Sequence, residues 1–147
     1  MTQTPPTADH SPTLVSIRLI TDDVSRLVTF YEQVTATPAR WSTPDFAELR
    51  TPAATLAIGS TRTVALFGAG SARPADNHTA IVEFLVDDVD AEYTRLRDVL
   101  GDVCGSLVNE PTTMPWGNRS LLFRDPDGTL VNYFTPVTPE AITRSGR

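Results

Sequence analysis

The chain has 147 residues, of which 40% are hydrophobic and 20% charged, a globular composition long enough for one domain or for two small modules sharing a core. Twelve arginines against eighteen acids give a net charge of −6, which argues against a nucleic-acid surface and against docking on an anionic membrane. One cysteine, two histidines and no lysine exclude an internal disulfide, a Cys or His metal cluster, a Schiff-base lysine and a phosphate-loop lysine.

Residues 1–12 are polar, carry three prolines and read as a disordered tail. They show no basic segment followed by an apolar one, so no secretory signal is expected and a cytoplasmic location is. The run LVSIRLIT (14–21) predicts a strand. Val24, Leu27, Val28 and Tyr31 then recur at helical spacing, with an aspartate ahead of them as N-cap, which predicts a helix from Asp23 to about Val34. Short strands are expected at FAELR (46–50), TLAIG (55–59) and TVALF (63–67). The segment GAGSARPADN (68–77) reads as a linker. After it the pattern restarts. AIVEFLV (80–86) predicts a strand, and Asp87-Asp88-Val89 is followed by a helix expected to about Leu100, with Val89, Tyr93, Leu96 and Leu100 on one face. Strands are expected near 104–108, 119–124 and 129–134, with a type I turn at Asp125-Pro126-Asp127-Gly128. Residues 137–147 form a C-terminal tail.

The two halves repeat. Asp22-Asp23-Val24 and Asp87-Asp88-Val89 each stand between a strand and a helix, 65 positions apart. Ala54-Thr55-Leu56 matches Gly128-Thr129-Leu130 at an offset of 74, which places an insertion around Glu110 to Asn118. Module one therefore spans 13–67 and module two 78–136.

Three stretches carry a resemblance to a known family. They are Thr21-Asp22-Asp23 through Phe30-Tyr31, Val86-Asp87-Asp88-Val89-Asp90, and Leu122-Phe123-Arg124-Asp125-Pro126-Asp127-Gly128-Thr129-Leu130. Together they resemble the vicinal oxygen chelate superfamily, the glyoxalase, bleomycin-resistance and dioxygenase group. The resemblance implies an α+β fold of two tandem βαβββ modules, whose curved mixed sheets surround a cleft with helices outside. It also implies a homodimer.

Metal-dependent members of that group place His, Gln or Glu at four cleft positions, which by this resemblance fall on Ser16, Ile58, Ile81 and Asn132. Two are aliphatic and two are weak ligands, so no metal and no other cofactor is expected. His78 reads as an exposed linker histidine and His10 as part of the tail. Strand alternation puts Arg18 on the face of Ser16 and Glu83 on the face of Ile81, an expected polar pair in the cleft. Glu48 and Arg50 share a face with Phe46, and Asn132 with Phe134. Trp41 and Trp116, expected on loops, offer flat surfaces for a planar ligand, and 110–118 reads as a flap. The expected function is metal-free binding of a small organic molecule, as in antibiotic sequestration. The alternatives are an enzyme of the same fold, of lyase, isomerase or dioxygenase type, with a non-standard site that uses Glu or Arg (Glu48 or Glu83 as a base) or an unrecognised metal site, and a protein–protein module with a vestigial cleft.

Overall fold

The computed structural model describes residues 11–146. His10 and most of the expected N-terminal tail lie outside them. Module one runs β1 (Ser16–Thr21), α1 (Val24–Thr35), β2 (Arg40–Thr43), β3 (Phe46–Arg50), β4 (Thr55–Ser60) and α2 (Thr61–Ala65). Module two runs β5 (Ile81–Leu85), α3 (Val89–Leu96), a 3-10 turn (Leu100–Val103), β6 (Ser106–Thr113), β7 (Asn118–Arg124), β8 (Leu130–Pro136) and α4 (Pro139–Ser145). Each module is a four-stranded mixed sheet, ordered β1-β4-β3-β2 and β5-β8-β7-β6, with its first and last strands parallel.

Local chemistry explains the repeat. The Asp23 carboxylate accepts from the Arg26 N–H at 3.0 Å, and that of Asp88 from the Asp90 and Ala91 N–H groups at 3.1 Å. Both caps satisfy donors that the first helical turn leaves free. Each module also closes with a short helix capped by a hydroxyl, Ser60 for α2 and Thr138 for α4. TVALF is therefore helical over most of its length where a strand was expected. The missing strand is the exposed edge segment Arg40–Thr43. The expected C-terminal tail contains α4.

The helices lie on one face of each sheet, and these two faces share a single core. Leu27, Phe30, Tyr31 and Val34 of α1 are fully buried against Ala47, Leu49 and Ile58 of one sheet and Leu121, Phe123 and Val131 of the other. Burying each large side chain contributes roughly 1.5–3 kcal/mol. Polar contacts join the modules through the same layer. The Tyr31 hydroxyl donates to Asp125 at 2.7 Å, that of Tyr133 to the Val34 carbonyl at 2.7 Å, and Arg26 pairs with Asp127 at 2.9 Å. The helix-free faces consequently point away from the shared core.

Candidate functional site

The open face of module one carries Arg18, Ala57 and Glu48 in a row across three strands. Arg18 is exposed, and its guanidinium carbon lies 5.7 Å from the Phe46 ring centre and 5.1 Å from that of Phe67. Phe67 lies just past the C-terminal end of α2, the short helix that Ser60 caps. Gly59 makes room beneath: a Cβ there would stand 2.7 Å from Thr63 Oγ1 and 3.3 Å from Arg18 Cδ. Arg18, Phe46, Thr63 and Phe67 border a hollow of about 570 Å³, together with Asp45 and Arg62. Arg62 holds the Asp45 carboxylate at 3.0 and 2.6 Å and keeps its pKa below the ordinary aspartate value. Glu48 is engaged by Arg50 at 3.1 Å on its own strand.

Module two places different chemistry at the equivalent points. Glu83, the equivalent of Arg18, accepts from the Asn132 amide at 2.9 Å. The Asn132 Oδ1 is occluded and has no hydrogen-bond partner among the described residues. Phe134 stands where module one has Gly59, since Gly59 lies opposite Ile20 and Phe134 opposite Leu85. A phenyl ring thus occupies the position that is empty in module one. A second hollow, of about 380 Å³, opens on the helix side at the module junction, bordered by Thr35, Thr51, Asp87, Glu92 and Tyr133. Burial raises the Tyr133 phenol pKa above its ordinary value.

The expected site residues separate accordingly. Arg18 and Glu83 lie on different sheets and do not pair with each other: Glu83 takes the Asn132 amide and Arg18 stands beside Phe46 and Phe67. Trp41 lies on β2, not on a loop, and opposite the fully buried Ala47, which puts it on the helix-covered face. Trp116 lies in the turn between β6 and β7, where Arg144 donates to its carbonyl at 2.5 Å. That hairpin is paired through Thr113, so 110–118 is mostly strand and tight turn, not a flap. Neither tryptophan borders the hollow beside Arg18. Sequence reasoning missed Phe67 and Gly59. Their signal, an aromatic just before a glycine-rich linker and a glycine in a strand, is shared by many positions with no such role.

The metal positions implied by resemblance also need one correction. Ile58 is fully buried in the core, and the open-face residue of β4 is Ala57. The turn joining β7 to β8 is one residue longer than that joining β3 to β4, so Asn132 corresponds to Ala57 at an offset of 75. A one-residue slip exchanges the faces of a strand. The corrected set of Ser16, Ala57, Ile81 and Asn132 offers one hydroxyl and one amide. Those donors do not fit a divalent first-row metal. Among the described residues, no group of three His, Cys, Asp or Glu side chains is placed to hold one. His78 is exposed.

Paired open sheets with a shared helical layer define a two-module βαβββ protein. The family profile of the glyoxalase/bleomycin resistance protein/dioxygenase superfamily matches residues 13–133, and the chain belongs to that superfamily. Solved structures agree on the fold. A glyoxalase/bleomycin resistance protein/dioxygenase family enzyme from Burkholderia phytofirmans PsJN superposes with a TM-score of 0.74 at 18% identity, covering 86% of this chain and 100% of that one. A glyoxalase/bleomycin resistance protein/dioxygenase from Nocardioides gives 0.69 at 24% identity, with 87% and 85% covered. A glyoxalase-related enzyme from Fulvimarina pelagi gives 0.71 at 17% identity, with 87% and 94% covered. A search of curated proteins returns no significant sequence match.

Proposed function

We propose that this chain is a metal-free binding protein for a small organic molecule, with the hollow beside Arg18 as its recognition site. The observation that carries the reading is Arg18 itself. Its guanidinium lies 5.7 Å and 5.1 Å from two phenyl ring centres at the edge of a hollow of about 570 Å³, a size in the range of small-molecule pockets. A sequestering protein, of the antibiotic-resistance kind or one that holds a metabolite, needs a recognition surface and no reacting group.

The test is native mass spectrometry of protein purified gently from cells. The expected result is substoichiometric metal and a co-purifying organic molecule that is depleted in Arg18→Ala. Stoichiometric zinc, nickel, manganese or iron bound at Ser16, Ala57, Ile81 and Asn132 would overturn the reading. A co-purifying molecule retained in full by Arg18→Ala would move the site elsewhere.

A further inference from the structure

We infer that the ligand of the Arg18 hollow is a flat organic anion, an aromatic or conjugated ring bearing one carboxylate. The inference rests on the binding reading above and adds the chemical class of the ligand.

Charge comes first. The ionised groups bordering the hollow are Arg18, Arg62 and Asp45. Arg62 and Asp45 neutralise each other across 2.6 Å. What remains is the single positive charge of Arg18, on a chain whose net charge is −6. The local field therefore favours an anion against the trend of the whole molecule. A cationic ligand would meet Arg18 with no free acid to offset it.

Arg18 is also unspent. No carboxylate, carbonyl or hydroxyl of the described residues accepts a hydrogen bond from it, and its guanidinium carbon lies 5.7 Å and 5.1 Å from the ring centres of Phe46 and Phe67. A guanidinium carries five N–H donors in a planar fork that matches a carboxylate with two parallel bonds. Flanking rings hold the cation by their quadrupoles without consuming those donors. The bare Cα of Gly59 lets the arginine stem lie close to the sheet.

The apolar partner is the third element. Phe67 is 75% exposed and Leu66 87% exposed, side by side above the hollow. An inorganic anion would leave both uncovered. A flat ring lying against Phe67, with its carboxylate on Arg18, covers the apolar surface and satisfies the fork together.

Isothermal titration calorimetry with three probes of one ring system tests the class: naphthalene-2-carboxylate, naphthalene-2-methanol and naphthalen-2-ylmethylammonium. Inorganic phosphate is the fourth titrant. The carboxylate is expected to bind at least about tenfold tighter than either other naphthalene, and phosphate not measurably, a tenfold step being one bidentate charge-assisted contact. Arg18→Gln is expected to remove about tenfold of that affinity, and Phe67→Ala several-fold. Both side chains are exposed, and matching thermal melts establish that the variants are folded. Tighter binding of the alcohol or the ammonium overturns the anion class while leaving the small-molecule reading standing. Equal binding of phosphate overturns the aromatic part. Unchanged carboxylate affinity in Arg18→Gln, or no binding of any naphthalene at millimolar concentration, overturns the proposal. The co-purification experiment then decides separately whether the protein binds an organic molecule at all.

Discussion

Asp125 sits in the turn that closes β7 onto β8, and three donors converge on its carboxylate. The backbone N–H groups of Asp127 and Thr129 reach one oxygen at 2.8 and 3.0 Å, and the Tyr31 hydroxyl reaches the other at 2.7 Å. Burial dominates this carboxyl and pushes its pKa above the ordinary aspartate value, while the three bonds pull the opposite way. Burial also raises the Tyr31 phenol well above its usual value, with Asp125 adding to the effect. A raised folded-state pKa means that the native protein holds the Asp125 proton more tightly than the unfolded chain does. The stabilising contribution is complete below the unfolded-state pKa and is lost as pH rises through the folded-state value. Asp125→Asn keeps an oxygen for the two N–H groups and offers Tyr31 a donor in place of an acceptor. The stability of this variant relative to wild type should therefore rise with pH across that window and level off above it. Urea unfolding at pH values between about 3 and 7 measures the difference. A difference independent of pH would mean that Asp125 titrates alike in both states. The sequence showed Asp125-Pro126-Asp127-Gly128 as a turn, and it is one, with Gly128 at φ +88° and its N–H bonded to the Asp125 carbonyl at 2.9 Å. That the turn also grips α1 of the other module depends on contacts more than 90 residues apart in the chain, which local patterning does not encode.

Gly117 governs the corresponding behaviour of an element. It has φ +94°, and a Cβ on it would stand 2.1 Å from Thr138 Oγ1 and 2.9 Å from the Ala141 methyl. Its carbonyl accepts from Val137 at 2.9 Å, so the β6–β7 turn and the start of α4 are packed backbone to backbone. Gly117→Ala should lower stability by roughly 1–3 kcal/mol, the usual cost of a disfavoured backbone conformation. The effect should concentrate in α4. Thermal unfolding measures the first, and faster hydrogen exchange in residues 139–145 than in α1 measures the second. Elements differed in how far sequence revealed them. α1 starts where its aspartate cap predicts, because capping is chemistry between near neighbours, whereas α3 ends at Leu96, short of the Leu100 that its apolar spacing suggested. β3 alternates Phe46, Glu48 and Arg50 with buried Ala47 and Leu49, and its faces follow from the pattern. β4 is buried on both faces, from Leu56 to Ser60, so alternation vanishes and its register was misread by one residue. The edge strand β2 buries nothing and left no pattern to read.

At the scale of the molecule, two open sheets face solvent with β1, β2, β5 and β6 as unpaired edges. Ile81 and Leu85 on β5 are 47% and 43% exposed, beside Glu83. Unpaired edges and apolar faces of this kind are usually covered, and closed two-fold dimers are the commonest way of covering them. We therefore expect a homodimer in which the open face of one module lies against, or beside, that of another copy. Analytical ultracentrifugation at micromolar concentration checks this. A monomer there would count against it, and so would a dimer whose association is unaffected by Leu85→Asp. No helix among the described residues is long and apolar enough to cross a membrane.

The segment joining the modules, residues 68–77, contributes nothing to the shared core, and none of its side chains is buried. Contacts that bind one half to the other run through the helical layer, from Phe30 against Phe123 to Arg95 on the Val34 carbonyl. Covalent continuity and cohesion are therefore carried by different parts of the protein. A nick in the joining segment severs the backbone and leaves the cohesive surface whole, whereas a cut between β1 and α1 divides the core itself. The segment is thus the natural place to open the chain, for a circular permutant, an inserted reporter or a split pair that reassembles.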